Sequence, residues 1–212
     1  MADLYTLIRG VAAQVPDAPE PFIVQTYLDA AREFFDHTAI WRSDDVLCIH
    51  DSALSNDNAA AFELDAGTDA EVSDAVFVEH GGDRLEKQTA KQMRHRADRS
   101  GKPKVYRIAR GAGYMYVAPG EQADGDAFHG EFVLLPTRGA QGLDDEVADA
   151  YGEVIELGAL YRLFRQPHQQ WSDGKAAEFY MLEWQNKLAQ WRQRAEDGGM
   201  RGVVRKVRYG GY

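Results

Sequence analysis

FIVQTYLDAAREFFDHT, residues 22–38, decides the class of the fold, because its apolar positions recur with the period of a helix and not of a strand. Ile23, Tyr27, Ala31, Phe34 and Thr38 form one stripe, while Asp29, Arg32, Glu33 and Asp36 lie largely off it. The chain enters this helix through VPDAPEP (15–21), whose three prolines break what precedes, and Pro21 stands where a first-turn proline is tolerated. Upstream, Leu4, Leu7, Ile8 and Val11 recur at helical spacing, so the first forty residues read as two helices.

From Ser43 to about Pro136 the pattern becomes short β-rich runs: DVLCIH, AAAFELD, AVFVEH, KVYRIAR, GYMYVAP and GEFVLLP, separated by Gly, Asp, Asn and Pro clusters. One helix is expected among them, over DRLEKQTAKQMRHRADRSG, on a thin stripe of Leu85, Thr89, Met93 and Ala97 that Gly101 ends. After LPTRGAQG the helical period returns. Asp144 is a candidate cap, Asp145 and Glu146 suit the positive end of a helix, and Val147, Tyr151, Val154, Gly158 and Tyr161 track one face to Phe164. Gly158 and Ala159 let another helix approach closely. The loop RQPHQQWSDG leads to a last long helix, with Ser172 as its candidate cap and Ala177, Tyr180, Trp184, Leu188 and Trp191 on one side, before EDGG stops it.

Each end of the chain thus supplies a helix pair whose apolar stripe a lone hairpin cannot bury. The economical solution is an α+β fold: a four-helix bundle built from both chain ends, with a small β-rich domain inserted that carries one helix. The expected boundaries are 1–42 and 137–196 for the bundle, 43–136 for the insert and 197–212 for an extended C-terminal arm. The bundle core is expected at Tyr27, Phe34, Tyr151, Val154, Gly158, Leu160, Trp171, Tyr180, Trp184 and Leu188. Trp171, between Pro167 and Ser172, reads as a staple between the last helices.

At 212 residues, 44% of them hydrophobic, the chain is long enough for one large domain or for a domain with a smaller one inserted. MADLYTLIRGVAAQV has an early Asp and no unbroken apolar run, so neither a signal peptide nor a spanning helix is expected, and the reading is a protein made in a cytoplasm. A balance of 24 Lys and Arg against 34 Asp and Glu, net −10, argues against a protein that coats nucleic acid with its whole surface. Charge is nevertheless segregated. The stretch from Asp44 to Asp83 is strongly acidic, whereas Lys91, Arg94, Arg96, Arg99, Lys102, Lys104, Arg107 and Arg110 form a basic patch suited to an acidic neighbour between subunits.

No catalytic template is met. RGAGYMY has a G-x-G that leads into a strand and lacks the third glycine, so it cradles no phosphate. His37, His50, His80, His95, His129 and His168 show no paired spacing, and the single Cys48 sits between Leu47 and Ile49 as a strand-core thiol, so neither a metal nor a cofactor is expected. No G-x-S-x-G elbow is present, and the carboxylates of LDDEV are explained by capping. The chain reads as a non-enzyme.

VPDAPEPFIVQTYLDAAREFFDHTAIWR resembles the opening of head–tail adaptor proteins of tailed bacteriophages, where a V-P-x-x-P turn feeds a helix rich in A-A-x-E-F and ends in T-x-x-W. VADAYGEVIELGALYRLFRQPHQQWSDGKAAEFYMLEWQNKL is similar to that family's I-x-x-G-A-L-x-x-L…P…W-x-D…A…Y…F region, with Gly158, Ala159, Leu160, Leu163, Pro167, Trp171, Asp173, Ala177 and Tyr180 at matching places and Trp184 near where Phe is common. GKPKVYRI…YMYVAP…FHGEFVLLPTRG resembles the β insert of the related tail tubular, gatekeeper-type proteins of short-tailed phages. The resemblance implies a virion protein of the head–tail junction. It would form a ring of about twelve copies seated under the portal, pass DNA through its lumen without gripping it, and attach a further tail, stopper or nozzle protein, with no membrane involved.

RGVVRKVRYGGY, residues 201–212, then reads as an extended arm that orders on the portal, through Arg201, Val203, Val204, Arg205, Lys206, Val207, Arg208 and Tyr209. Contacts between subunits are expected at Lys91, Arg94, Arg96, Arg99, Lys102 and Lys104. Two alternatives are weighed: a sequence-tolerant nucleic-acid-binding module using the basic patch of residues 91–110, and an enzyme of the cell envelope, for which no constellation was found.

Overall fold

Backbone pairing and helical hydrogen bonding arrange the chain, in the computed structural model that describes residues 1–56, 59–94 and 101–196, into the following elements. They are β1 (Ala2–Asp3), α1 (Leu4–Leu7), α2 (Arg9–Gln14), α3 (Glu20–Thr38), β2 (Arg42–Ser43), β3 (Leu47–Asn56), β4 (Ala59–Asp65) and β5 (Ala70–His80). There follow β6 (Asp83–Arg84), β7 (Glu86–Lys87), α4 (Ala90–Arg94), β8 (Val105–Ala109), β9 (Tyr114–Ala118), a 3₁₀ turn (Gly125–Ala127), β10 (Phe128–Pro136), β11 (Gly142–Leu143), α5 (Asp145–Phe164) and α6 (Gly174–Glu196). Two compact units result. One takes Met1–Trp41 and the chain from Leu135 through α6; the other takes Arg42–Leu134.

The four-helix bundle with one small β domain is not what forms: the chain is mixed α and β, with three sheets. In the helical unit the long elements are α3, α5 and α6. The expected first helix breaks at Ile8 into pieces of four and six residues, which at about 1.5 Å per residue span far less than α3 or α6. Of the expected stripe Leu4, Ile8 and Val11 are buried and Leu7 is half-buried, and Val15 is buried beyond it. Its length is what fails: two short turns pad the core rather than supplying a fourth rod. β1 and β11 add a two-stranded antiparallel ribbon to this unit.

α3 keeps the expected stripe, with Ile23, Tyr27, Ala31, Phe34 and Thr38 buried, and Leu28, Ala30 and Phe35 buried as well. Thr26 and Thr38 sit on the buried side because each hydroxyl donates to the carbonyl four residues back, at 2.8 Å. An aromatic cluster centres on Phe34, whose ring lies 5.5 Å from Tyr151 of α5 and 6.0 Å from Trp184 of α6. Phe35 extends it to Trp41 at 5.2 Å. Gly158 is the point of closest approach: a Cβ there would lie 2.9 Å from the Trp184 ring.

The six strand-like runs each lie on a strand of the second unit, which holds two sheets. One has the order β3-β4-β9-β8-β7 and the other β2-β10-β5-β6. In the first, β3/β4, β4/β9 and β9/β8 pair antiparallel and β7/β8 parallel. Its buried face includes Ala60, Phe62, Leu64, Met115 and Val117, and Phe62 meets Phe128 of β10 edge-on at 4.8 Å. The long helix expected over residues 83–101 is overturned. Tertiary hydrogen bonds claim its first half: the N–H of Leu85 goes to the Val78 carbonyl, and those of Glu86 and Gln88 to Lys104 and Tyr106. Only α4 remains helical, opened by a reciprocal box between Thr89 and Gln92. Residues 95–100 lie outside the described residues.

Candidate functional site

In the helical unit α3 and the end of α5 border a groove of about 540 Å³, with Phe22, Gln25, Thr26, Asp29 and Glu33 on one side and Tyr161, Arg162, Arg165, Gln166 and Pro167 on the other. The two long helices place these side chains because their apolar stripes face the core and leave polar residues at the groove's rim. Arg162 is ion-paired with Glu33, donates to the Gly158 carbonyl at 2.8 Å, and holds its guanidinium 5.7 Å from the Trp184 ring centre. Arg165 covers the Tyr161 ring and donates to its hydroxyl. A second hollow of about 500 Å³ shares Tyr161, Arg165 and Pro167 and adds Phe164, Ala177 and Met181. Charges matched in pairs beside aromatic faces suit contact with another polypeptide. They do not assemble a nucleophile with a base.

The expected core residues separate by burial. Tyr27, Phe34, Tyr151, Val154, Gly158, Leu160 and Trp184 are buried; Trp171, Tyr180 and Leu188 are half-buried. Trp171 packs on Phe22 of α3 with ring centres 6.2 Å apart, so it ties the α5–α6 loop to the first long helix. Ser172 is not the cap of α6. The Asp173 carboxylate accepts from the N–H groups of Lys175 and Ala176 at 2.9 and 3.1 Å, and the capital signal in WSD was its last residue. Asp144 does stand at the N-cap position of α5, but its side chain makes no capping hydrogen bond.

In the described part of the basic patch, Arg110 is ion-paired and Arg107 is stacked on a ring. Asp74 of β5 pairs with both Lys87 and Arg110, and Arg107 of β8 lies over the Tyr116 ring at 4.5 Å. Burial pushes the Asp74 carboxyl up, but hydrogen bonds from Lys87 and the Ala75 N–H and the charge of Lys87 bring it below the usual range. Lys91, Lys102 and Lys104 are exposed. Arg94 closes α4, while Arg96 and Arg99 fall outside the described residues, as do Arg201, Val203, Val204, Arg205, Lys206, Val207, Arg208 and Tyr209 of the arm.

Cys48 is half-buried, and burial pushes its thiol up to about 12, which leaves it protonated and unreactive at neutral pH. Among the described residues no group of three His, Cys, Asp or Glu side chains is placed to hold a metal ion, and no helix is long and apolar enough to cross a membrane. Sequence reasoning missed the Glu33–Arg162 pair, which joins residues 129 apart and has no local signal. It also missed Phe35 and Trp41 as core, although FF and the following W were legible as a wide apolar face. No protein-family model and no curated protein matches the chain.

Proposed function

We propose that the chain is a structural virion protein of a tailed bacteriophage: a ring-forming head–tail adaptor that docks beneath the portal vertex, forms part of the DNA conduit and attaches the next tail component. The observation that carries this reading is the chain's division, in which residues 1–41 and 135–196 form one helical unit and the segment between them, 42–134, forms a β-rich one, the order of segments that the adaptor resemblance implies. Residues 201–209 are then the arm addressed to the portal.

Electrostatics supports the conduit half of the reading. A channel that passes DNA should repel phosphate weakly, and many copies of a chain with net charge −10 create such a field. Of the basic patch that a nucleic-acid-binding module would use, Arg110 is ion-paired and Arg107 stacked while Lys91, Lys102 and Lys104 are exposed, so it is the net charge that weighs against that alternative.

The test is to mix the purified chain with the portal protein of its own genome and image the product by electron microscopy. A ring seated on the portal, lost when Arg205, Lys206 and Arg208 are changed to Glu, supports the reading. A portal that stays bare beside a folded, intact chain overturns it.

A further inference from the structure

Helix α6 has two faces, and among the described residues only one is packed. Ala177 and Trp184 of α6 are buried, Tyr180 stacks on Phe164 at 5.7 Å, and Trp191 meets Tyr151 at 5.2 Å. The opposite face runs Lys175, Phe179, Leu182, Asn186, Ala189 and Gln193, and all six are exposed. Their spacing alternates four and three residues, the seam of a two-helix coil, with Phe179, Asn186 and Gln193 at one position of the heptad and Lys175, Leu182 and Ala189 at the other. Phe179 and Leu182 are 59% and 57% exposed, a level that among the described large hydrophobics only Met1 exceeds. Two such side chains one turn apart on a helix are an apolar patch without a cover.

We propose that this face pairs with the same face of a second copy of the chain, the two α6 helices running antiparallel about a two-fold axis near Trp184. The charges along the helix select that arrangement. Glu178 and Glu183 flank the seam in its first half, and Lys187, Arg192 and Arg194 occupy its second half. Antiparallel pairing sets Glu178 of each copy against Arg192 of the other, whereas parallel pairing would bring Glu178 against Glu183 of the partner subunit. The layers fit as well: Phe179 falls opposite Ala189 of the partner subunit, large against small, and Leu182 opposite the partner's Asn186, whose amide fixes the register. Arg192 pairs within its helix with Glu196 at 2.9 Å, and both side chains are 65% exposed, so it is able to exchange that partner for Glu178 of the other copy. A two-fold contact is self-complementary and closes at two copies, so it describes the free protein and does not rest on the adaptor reading.

The experiment is sedimentation velocity on the full chain over a range of concentrations, with far-ultraviolet circular dichroism to follow folding. Wild type should form a dimer, and Phe179→Glu should weaken it by about tenfold or more without change in helix content, since the side chain it alters is exposed. Glu178→Arg and Arg192→Glu, neither at a buried position, supply the independent reading: each should weaken the dimer and the pair together should restore it. A chain that is monomeric at every concentration, or a dimer indifferent to Phe179→Glu, overturns the proposal and gives this face to a partner of another kind. Failure of the double charge reversal to restore association overturns the antiparallel register. None of these outcomes depends on whether a portal is bound.

Discussion

Glycine 158 shows how a single missing carbon sets the spacing of two helices. A Cβ at this position would sit 2.9 Å from three ring atoms of Trp184, which is only 2% exposed and has no room to retreat. Gly158→Ala gains up to about 1 kcal/mol of helix propensity, but overpacking a filled core costs about 1–3 kcal/mol, so the clash wins. Urea unfolding should show a net loss of stability. Glu156, two residues earlier on α5, makes the opposite case. Burial raises its carboxyl above the usual range and the neighbouring Glu153 adds to the shift, while its oxygens lie against Gly10 of α2. A carboxyl raised in the folded state binds its proton more tightly there than in the unfolded chain. Its stabilising effect is therefore complete below the ordinary glutamate range and is lost as pH rises through the folded value. Glu156→Gln should unfold later than wild type at neutral pH, and the difference between the two urea midpoints should shrink as the solution is acidified. A difference independent of pH would contradict the assignment.

Among the elements, α6 begins where an aspartate can reach its free N–H groups. Asp173→Ala should cost about 1 kcal/mol, the usual worth of a cap, while Ser172→Ala should be near neutral; paired thermal melts of the two variants separate the roles. β3 is a long edge strand with Leu47, Ile49 and Leu54 exposed, a form that invites pairing with other chains. Two features blunt it. The register with β4 shifts between Asp51 and Asn56, where the Asp51 carboxylate accepts from the N–H groups of Ala53 and Leu54. Further along, Gly125 of the 3₁₀ turn lies so close to the Cys48 carbonyl that a Cβ would approach to 2.5 Å. The edge is bent at one end and overlaid at the other.

For the molecule as a whole, the division into two units predicts where a core defect is felt. Phe34 and Phe62 are both fully buried, one in each unit. Truncation to Ala should cost about 3–5 kcal/mol in either place, but its effect on hydrogen exchange should be local. With Phe34→Ala, amides of residues 1–41 and 135–196 should lose protection first; with Phe62→Ala, those of residues 42–134. Peptide-resolved exchange by mass spectrometry reads the pattern, and equal loss in both units would mean that they unfold as one. The cations follow the same division: Glu33 and Arg162 pair inside the helical unit, Asp74 with Lys87 and Arg110 inside the other.

Local periodicity determined a great deal by itself. The stripes of α3, α5 and α6 and the six β runs were legible because a helix or a half-buried strand repeats its pattern within a few residues. The return of the helical period after Pro136 also announced that both chain ends belong to helical structure. What only the tertiary structure decided depended on partners remote in sequence. Leu85, Glu86 and Gln88 left the expected helix because Val78, Lys104 and Tyr106 offered carbonyls to their N–H groups. Trp171 met Phe22 of α3, far back in the chain. The stripe of Leu4, Ile8 and Val11 became two short helices, and Arg110 of the basic patch paired with an aspartate on another strand. A period along the chain reports which face of an element is buried; it carries no record of what that face, or a free backbone group, will meet across the fold.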